Sequence, residues 1–267
     1  MAIDTLSEFV AALDRAGELV SVTQPVSLDR EMCEIADRVM KQPGGGKALL
    51  FERPVLMNGQ PSAFPVGINL FGSMRRMAMS LGVESLDEIS ARITELMEMK
   101  VPEGLIGKLA LLPRLLEVGK FPPRLRRGDA PSQEIVWQGN RVDLDQLPLM
   151  RCWPQDGGPY ITFPMVITKD PKRGIRNVGM YRVQQLGKNT LAMHWQRHKV
   201  GAAHWREMAE RGERMAVVIA LGGDPASIYS GSAPLPPTID EFIFAGFLRR
   251  EPVELVRPVP GGRPPDR

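Results

Sequence analysis

The stretch Asn177-Val178-Gly179-Met180-Tyr181-Arg182-Val183-Gln184-Gln185-Leu186, the turn Gly187-Lys188-Asn189 and the run Thr190-Leu191-Ala192-Met193-His194-Trp195 together read as an antiparallel hairpin. Two runs rich in β-branched, aromatic and long side chains flank a three-residue turn. On an extended strand Asn177, Gly179, Tyr181 and Val183 share one face, and Val178, Met180, Arg182 and Gln184 share the other. Around this hairpin the pattern predicts further strands at 134–138, 160–168 and 215–221, and helices over 201–212 and 238–249. Thr238 is the expected cap of the last helix, with Glu241 three residues on at capping-box spacing. This half of the chain reads as a small β-barrel decorated by helices.

The first half has a different texture. Apolar spacing predicts a helix over residues 4–19, capped by Asp4 or Thr5 and closed by Gly17. A strand at 19–26 follows, then a helix starting at Ser27 with Met32, Ile35, Ala36 and Val39 as its buried stripe. Gln42-Pro43-Gly44-Gly45-Gly46 is a breaker before short strands at 48–52 and 65–70. Helices are expected at 73–81, 86–99 and 104–118, the last interrupted by Pro113. The basic, proline-containing connector at 120–127 (KFPPRLRR) divides the chain near residue 125. The reading is an N-terminal α/β domain over 1–125, a β-rich domain over 126–256 and a Pro/Gly-rich tail over 257–267.

Composition excludes several classes. With 34 basic and 31 acidic residues the net charge is only +3, which does not suit a dedicated nucleic-acid binder. The basic runs at 120–127 and 169–188 read as solvated faces. No run of about 18 apolar residues exists to span a membrane, and MAIDTLSEFV lacks the basic-then-apolar block of a signal peptide. Two cysteines, Cys33 and Cys152, form neither a disulfide scaffold nor a CxxC site, and a reducing cytoplasm is expected. Cys152 lies between Arg151 and Trp153 and reads as a packed thiol rather than a nucleophile. Gly44-Gly45-Gly46-Lys47 has the look of a phosphate loop. Ala48 stands where a magnesium-binding hydroxyl would be needed and a strand follows, so a plain turn is expected.

Polar residues of unusual kinds concentrate in the second half. His194, His198 and His204 fall within eleven residues, and Asn177, Arg182, Gln184 and Gln185 lie on the strand before the hairpin turn. Such a set can hold an anion, phosphate above all, through guanidinium and backbone amides. It can equally be a strand end with satisfied polar tips.

These strings resemble the UbiD-type decarboxylases, above all the 3-polyprenyl-4-hydroxybenzoate carboxy-lyases. The matching blocks are Cys152-Trp153-Pro154, the N-x-G-x-Y-R-x-Q string from Asn177 to Gln184, Gly187-Lys188-Asn189 and Leu221-Gly222-Gly223-Asp224-Pro225-Ala226. In the first half they are Arg15-Ala16-Gly17-Glu18-Leu19, Glu34-Ile35-Ala36-Asp37-Arg38, Ala48-Leu49-Leu50-Phe51-Glu52 and Asn69-Leu70-Phe71-Gly72. The resemblance implies an α/β (α+β) fold: an N-terminal α/β domain followed by a flavin-reductase-like split β-barrel. It implies prenylated FMN held through a divalent metal, usually Mn2+, with K+. By motif position Asn177, His198 and Glu241 are the expected metal ligands, a set of oxygen and imidazole donors suited to a hard cation. Met180, Tyr181, Arg182, His194, Trp195, Gln196, Lys199 and Val200 match the flavin-contacting segments. Arg182 matches the arginine that meets the substrate carboxylate. The implied reaction is reversible, non-oxidative decarboxylation of an aromatic or α,β-unsaturated acid, with a flavin prenyltransferase supplying the cofactor.

The chain departs from the family in length. The acidic network and proton donor expected to serve Arg182 lie, in typical members, beyond the point this sequence reaches, as does a region that helps assemble oligomers. The expectation is therefore cofactor binding with impaired turnover. The chain would act as a homo-oligomer or with a partner chain supplying the other half, or as a non-catalytic flavin- and metal-binding module.

Overall fold

A computed structural model describes residues 3–97, 121–128, 130–236 and 239–259. Helix α1 (Leu6–Arg15) starts where the Thr5 hydroxyl accepts from the Glu8 amide at 3.1 Å. It stops short of the expected end because Gly17 takes φ +68° and turns the chain into β1 (Leu19–Ser27). Helix α2 (Glu31–Met40) begins four residues later than the sequence suggested. The chain at Ser27 and Leu28 is still tied to the sheet, the Leu28 amide donating to the Val55 carbonyl at 3.0 Å. Strand β1 lies parallel to β2 (Ala48–Val55), and β2 pairs antiparallel with β3 (Val66–Ile68).

The apolar run Ala48-Leu49-Leu50-Phe51 follows from the layering. Ala48 faces Phe9 and Leu13 of α1, whereas Leu49 and Phe51 face Met32 and Ala36 of α2. Successive strand residues point to opposite faces, so a strand covered on both sides reads as continuously apolar. Helices α3 (Met74–Ser80) and α4 (Leu86–Met97) complete this half. The helix expected at 104–118 lies outside the described residues.

The second half is built from two three-stranded sheets. Strands β5 (Tyr160–Ile161), β8 (Val183–Gly187) and β9 (Thr190–Met193) form one, in the order β5-β8-β9. Strands β6 (Met165–Lys169), β7 (Arg176–Met180) and β10 (Val218–Ala220) form the other, in the order β10-β6-β7. Two runs read as single strands, 160–168 and 177–186, are thus each two. Pro164 lacks the amide a ladder needs, and it interrupts the first run. The second breaks at Tyr181 and Arg182, where the chain leaves the Met165–Met180 pair and joins the Ile161–Val183 pair. The β8–β9 hairpin stands as expected, with Gly187 opposite Thr190. No closed barrel is found among the described residues. The strand expected at 134–138 is absent; those residues run between the 3-10 turns Pro131–Gln133 and Gly139–Arg141. Ile135 there is 75% exposed.

Helices α5 (Val200–Glu210), α6 (Pro225–Ser230) and α7 (Glu241–Arg249) flank the sheets. The cap of α7 is Asp240, whose Oδ1 accepts from the Phe242 amide at 2.9 Å. Thr238, the expected cap, lies outside the described residues. In the connector, β4 (Arg124–Leu125) pairs in parallel with β11 (Glu254–Leu255). Apolar clusters cross between the halves: Leu6 and Phe71 pack on Met165, Val178, Ile228 and Phe242, and Leu81 and Ile89 pack with Ala226 and Leu248. No helix among the described residues is long and apolar enough to cross a membrane.

Candidate functional site

The site grows from the open edge of β7. Among the described residues β7 pairs with β6 alone, with Thr168 opposite Asn177. The Val178 amide points away from that ladder and donates to Glu241 Oε2 at 2.8 Å. Glu241 opens α7, so a helix start supplies a carboxylate to an otherwise unpaired strand edge. Asn177 and Glu241 are both buried. Burial is the main cause that raises the Glu241 pKa, opposed by the Val178 amide.

Asn177 is oriented from behind. Its Nδ2 contacts Thr168 Oγ1 at 3.5 Å, and that hydroxyl meets His204 Nδ1 at 3.0 Å. Burial lowers the His204 pKa, which favours the neutral ring and lets Nδ1 accept the hydroxyl proton. The hydroxyl oxygen then accepts from the Asn177 amide, and the amide oxygen is left on the side away from Thr168. Of the three expected metal ligands, Asn177 and Glu241 are brought together through the Val178 amide. His198 stands on the exposed loop before α5, and no hydrogen bond or ion pair among the described residues ties it to either. No group of three or more His, Cys, Asp and Glu is gathered for a metal among the described residues. The amide oxygen of Asn177 and the carboxylate of Glu241 nevertheless fit a hard, oxygen-preferring cation.

The residues expected to touch the flavin fall in two places. Met180 and Tyr181 end β7, and the Tyr181 ring folds back across Gly179. A Cβ on Gly179 would stand 2.4 Å from that ring, so the glycine is required. The Tyr181 hydroxyl accepts from the Gly201 amide at 3.4 Å, and the Trp195 indole meets the Tyr181 ring edge-on at 6.2 Å. Trp195 also lies against Gly201, where a Cβ would sit 2.9 Å from the indole nitrogen. That nitrogen is buried and has no hydrogen-bond partner among the described residues. It is a donor waiting for an acceptor. Lys199 caps α5 and Val200 begins it, so both lie at the positive end of an eleven-residue helix. His194 and Gln196 are exposed, and the His194 amide donates to the Arg182 carbonyl at 3.0 Å. Trp195, Leu191, Met193, Trp205 and Ile219 line an open groove of about 510 Å³, large enough for a ring system.

Arg182 lies at the corner between β7 and β8. Its Nη2 donates to Asp156 Oδ2 at 3.2 Å, and its guanidinium stacks 4.1 Å over the Tyr160 ring. The Tyr160 hydroxyl donates in turn to Gln184 Oε1 at 3.1 Å. Asp156 is thus an acidic partner of Arg182 within this chain, one that the sequence reading did not name. The signal was local, an Asp in a Gly-rich loop directly before β5, but its distance of 26 residues from Arg182 hid it.

Cys152 needs a second correction. Its pKa is lowered to about 7, first by a hydrogen bond from the Cys33 thiol and then by the Arg182 charge, against burial and Asp156. The partner lies 119 residues away in sequence, which is why the local reading missed it. By contrast the Gly44–Lys47 segment is the turn the sequence implied. The Arg76 guanidinium engages the Gly45 and Gly46 carbonyls there, and the Gly45 amide closes the turn on the Gln42 carbonyl at 2.9 Å. Lys47 Nζ donates to the Gly17 carbonyl at 2.5 Å.

Residues 124–261 match the family model of the 3-octaprenyl-4-hydroxybenzoate carboxy-lyase (UbiD) Rift-related domain, and residues 10–93 match that of the N-terminal domain of the same enzymes. An uncharacterized protein of Aquifex aeolicus is 45% identical over 252 residues, covering 94% of this chain and 50% of that protein. One from Archaeoglobus fulgidus is 45% identical over 256 residues, covering 96% and 50%. The chain spans about half the length of these relatives. Among solved structures, the UbiD-class enzyme HmfF from Pelotomaculum thermopropionicum in complex with FMN is similar at a TM-score of 0.75 and 26% identity, over 96% of this chain and 51% of that one. An evolved dimeric form of HmfF in complex with prFMN gives 0.75 and 26% over 96% and 53%. The vanillic acid decarboxylase of Sedimentibacter hydroxybenzoicus in its closed form shares the fold, with a TM-score of 0.79 at 22% identity over 97% and 51%.

Proposed function

The chain belongs to the UbiD carboxy-lyase family, and on that premise we propose that it serves prenylated-FMN-dependent, non-oxidative decarboxylation of an aromatic or α,β-unsaturated carboxylic acid resembling a polyprenyl hydroxybenzoate. The observation that carries the reading is the buried Asn177–Glu241 pair one strand corner away from a stacked, half-satisfied Arg182. In this proposal Asn177, Glu241 and His198 hold a divalent cation, Mn2+ by family resemblance, with K+ beside it. His198 would have to turn inward from its exposed loop to complete the set. Met180, Tyr181, Arg182, His194, Trp195, Gln196, Lys199 and Val200 surround the flavin. The Trp195 indole N–H and the α5 N-terminus favour its anionic and acceptor groups. The split β-barrel is then the two three-stranded sheets, with the domain boundary near residue 125.

The flavin, when bound, supplies an electron sink for the carbanion character that develops as CO2 departs. The chain's own residues position the acid. Arg182 spends one N–H on Asp156 and keeps further donors of its planar fork for a substrate carboxylate. Tyr160 beneath the guanidinium fixes its plane, so the fork is presented in one orientation.

A second reading, a flavin- and metal-binding module that turns over only with a partner chain, is favoured by one observation: the chain spans about half the length of its relatives. One experiment separates the two. The chain is coexpressed with a flavin prenyltransferase and purified, and flavin absorbance, bound manganese and CO2 release from a panel of aromatic and acrylic acids are measured. Flavin and manganese with turnover support the decarboxylase, and both without turnover support the module. Absence of both ligands overturns either reading.

A further inference from the structure

Two thiols from opposite halves of the molecule meet beside the Arg182–Asp156 pair. Cys33 lies on α2, and Cys152 lies on the strap that leads into β5. The strap is clamped to the first half over its whole approach. The Arg151 amide donates to the Leu28 carbonyl at 3.1 Å, and the Arg30 amide donates to the Arg151 carbonyl at 2.9 Å. The Arg151 guanidinium grips both oxygens of Asp29 at 2.7 and 2.6 Å. The Cys33 thiol donates to Met150 Sδ at 3.9 Å, and Cys152, two residues on along the extended strap, falls on the same side as Met150 and so beside the Cys33 sulfur. Both cysteines are half-buried, so a small reagent reaches them.

We propose that Cys33 and Cys152 form a reactive dithiol that exchanges with low-molecular-weight disulfides and closes into a bond joining α2 to the β5 strap. The groups facing the pair explain which sulfur acts first. The Arg182 charge and the Cys33 S–H both favour the Cys152 thiolate, while Asp156 opposes it. Arg151 is already neutralised by Asp29. Cys33 is pushed the other way, first because its proton serves the Cys152 sulfur, then by burial, and then because losing that proton would set two anionic sulfurs against each other. The pair therefore shares one proton, held on Cys33. The Met150 thioether, which accepts from Cys33 at 3.9 Å, is a weaker acceptor than a thiolate, so the Cys33 proton turns to Cys152 once that thiolate forms.

The exchange balances in two steps. The Cys152 thiolate attacks one sulfur of a small disulfide such as oxidised glutathione; that S–S bond breaks, one glutathione thiolate leaves and takes a proton from solvent, and a mixed disulfide forms on Cys152. Cys152 now carries no charge, so its part in raising Cys33 is gone, and only burial and then the Asp156 charge still raise it. Cys33 loses its proton to solvent and attacks the Cys152 sulfur, and the second glutathione thiolate leaves and is protonated. Two protein thiols are oxidised by two electrons, and one small disulfide is reduced to two thiols.

The test uses the full, reduced chain and needs no flavin or metal. Iodoacetamide at pH 7 labels Cys152 more than about tenfold faster than Cys33, which holds its proton. The pH profile of Cys152 labelling has its midpoint near 7. In Cys33→Ala, which removes the donor, this midpoint moves up toward the ordinary thiol value of about 8.5. After incubation with oxidised glutathione, peptide mapping by mass spectrometry under non-reducing conditions finds the Cys33–Cys152 bond in the wild-type chain. The same treatment of Cys33→Ser stops at a glutathione adduct on Cys152. Equal labelling of both cysteines in the unsubstituted chain, or glutathione adducts on both with no internal bond, overturns the proposal.

Discussion

The two halves of the molecule each bury a polar cluster, and the clusters are of opposite kinds. In the first half Arg76 is fully buried, and its guanidinium reaches Glu18 Oε2 at 3.2 Å, the Gly46 carbonyl at 2.6 Å and the Gly45 carbonyl at 3.4 Å. Arg75 and Lys47 join the same carboxylate at 2.9 and 3.7 Å. The charges answer one another, and the cluster pins the turn at Pro43–Gly45 to the end of β1. In the second half Asn177, Glu241 and the Trp195 indole are held in place by neighbours, yet each keeps hydrogen-bonding or ligating capacity that those neighbours do not use. A buried polar cluster whose opposite charges pair is scaffold, even though Arg76 Nε keeps no hydrogen-bond partner among the described residues; one that is oriented with its carboxylate and amide free of any paired countercharge among those residues is a place for a ligand.

The sharpest way to break this comparison is Arg76→Met. It leaves Glu18 desolvated without its buried partner and should cost about 3–5 kcal/mol, read as a lowered midpoint in urea unfolding. If stability holds, the first cluster is not scaffold. Glu241→Gln should do the reverse. Manganese retained after dialysis should fall toward the upper end of a 10–100-fold range, with far less loss of stability than Arg76→Met. Unchanged manganese would remove Glu241 from the ligand set.

Thr168→Val should weaken manganese retention about tenfold without touching a ligand, because the Asn177 amide loses the hydroxyl that orients it. Thr168→Ser, which keeps the hydroxyl, should restore retention, whereas a merely structural role for Thr168 would not separate the two variants.

The smallest effect is expected at Asp29→Asn, on the clamp between the halves. The Arg151 hydrogen bond is the first cause holding the Asp29 carboxyl below its ordinary value. A depressed folded-state pKa contributes stability that is present above the unfolded value and lost as pH falls through the folded one. The wild-type chain should therefore lose a small increment of stability below about pH 4 that Asp29→Asn lacks. Superimposable acid-unfolding curves for the two would show that the clamp contributes nothing.

Much of the fold was legible because its elements carry local signals. The β8–β9 hairpin announced itself through Gly187-Lys188-Asn189 between two β-prone runs, and β2 through an apolar run that only a doubly covered strand requires. The corners were not legible. Tyr181 and Arg182 are chemically suited to a continuing strand, and only the change of partner from Met165 to Ile161 breaks it there. The start of α2 was misplaced for a similar reason, since Ser27 is a good cap that the Val55 strand holds in the sheet instead.

The site divides the same way. By itself the sequence determined the family, through strings such as Asn177 to Gln184, and with it the residue types able to meet a metal and a flavin phosphate. Which of them meet was decided by the tertiary structure. Asn177 and Glu241 are 64 positions apart, and what joins them is a strand edge with an unpaired amide and a helix whose first residue reaches it. Arg182 gained Asp156, and Cys152 gained Cys33, by the same route. Backbone hydrogen bonding and apolar burial carried these residues together, and neither force leaves a mark in the spacing of the polar residues themselves.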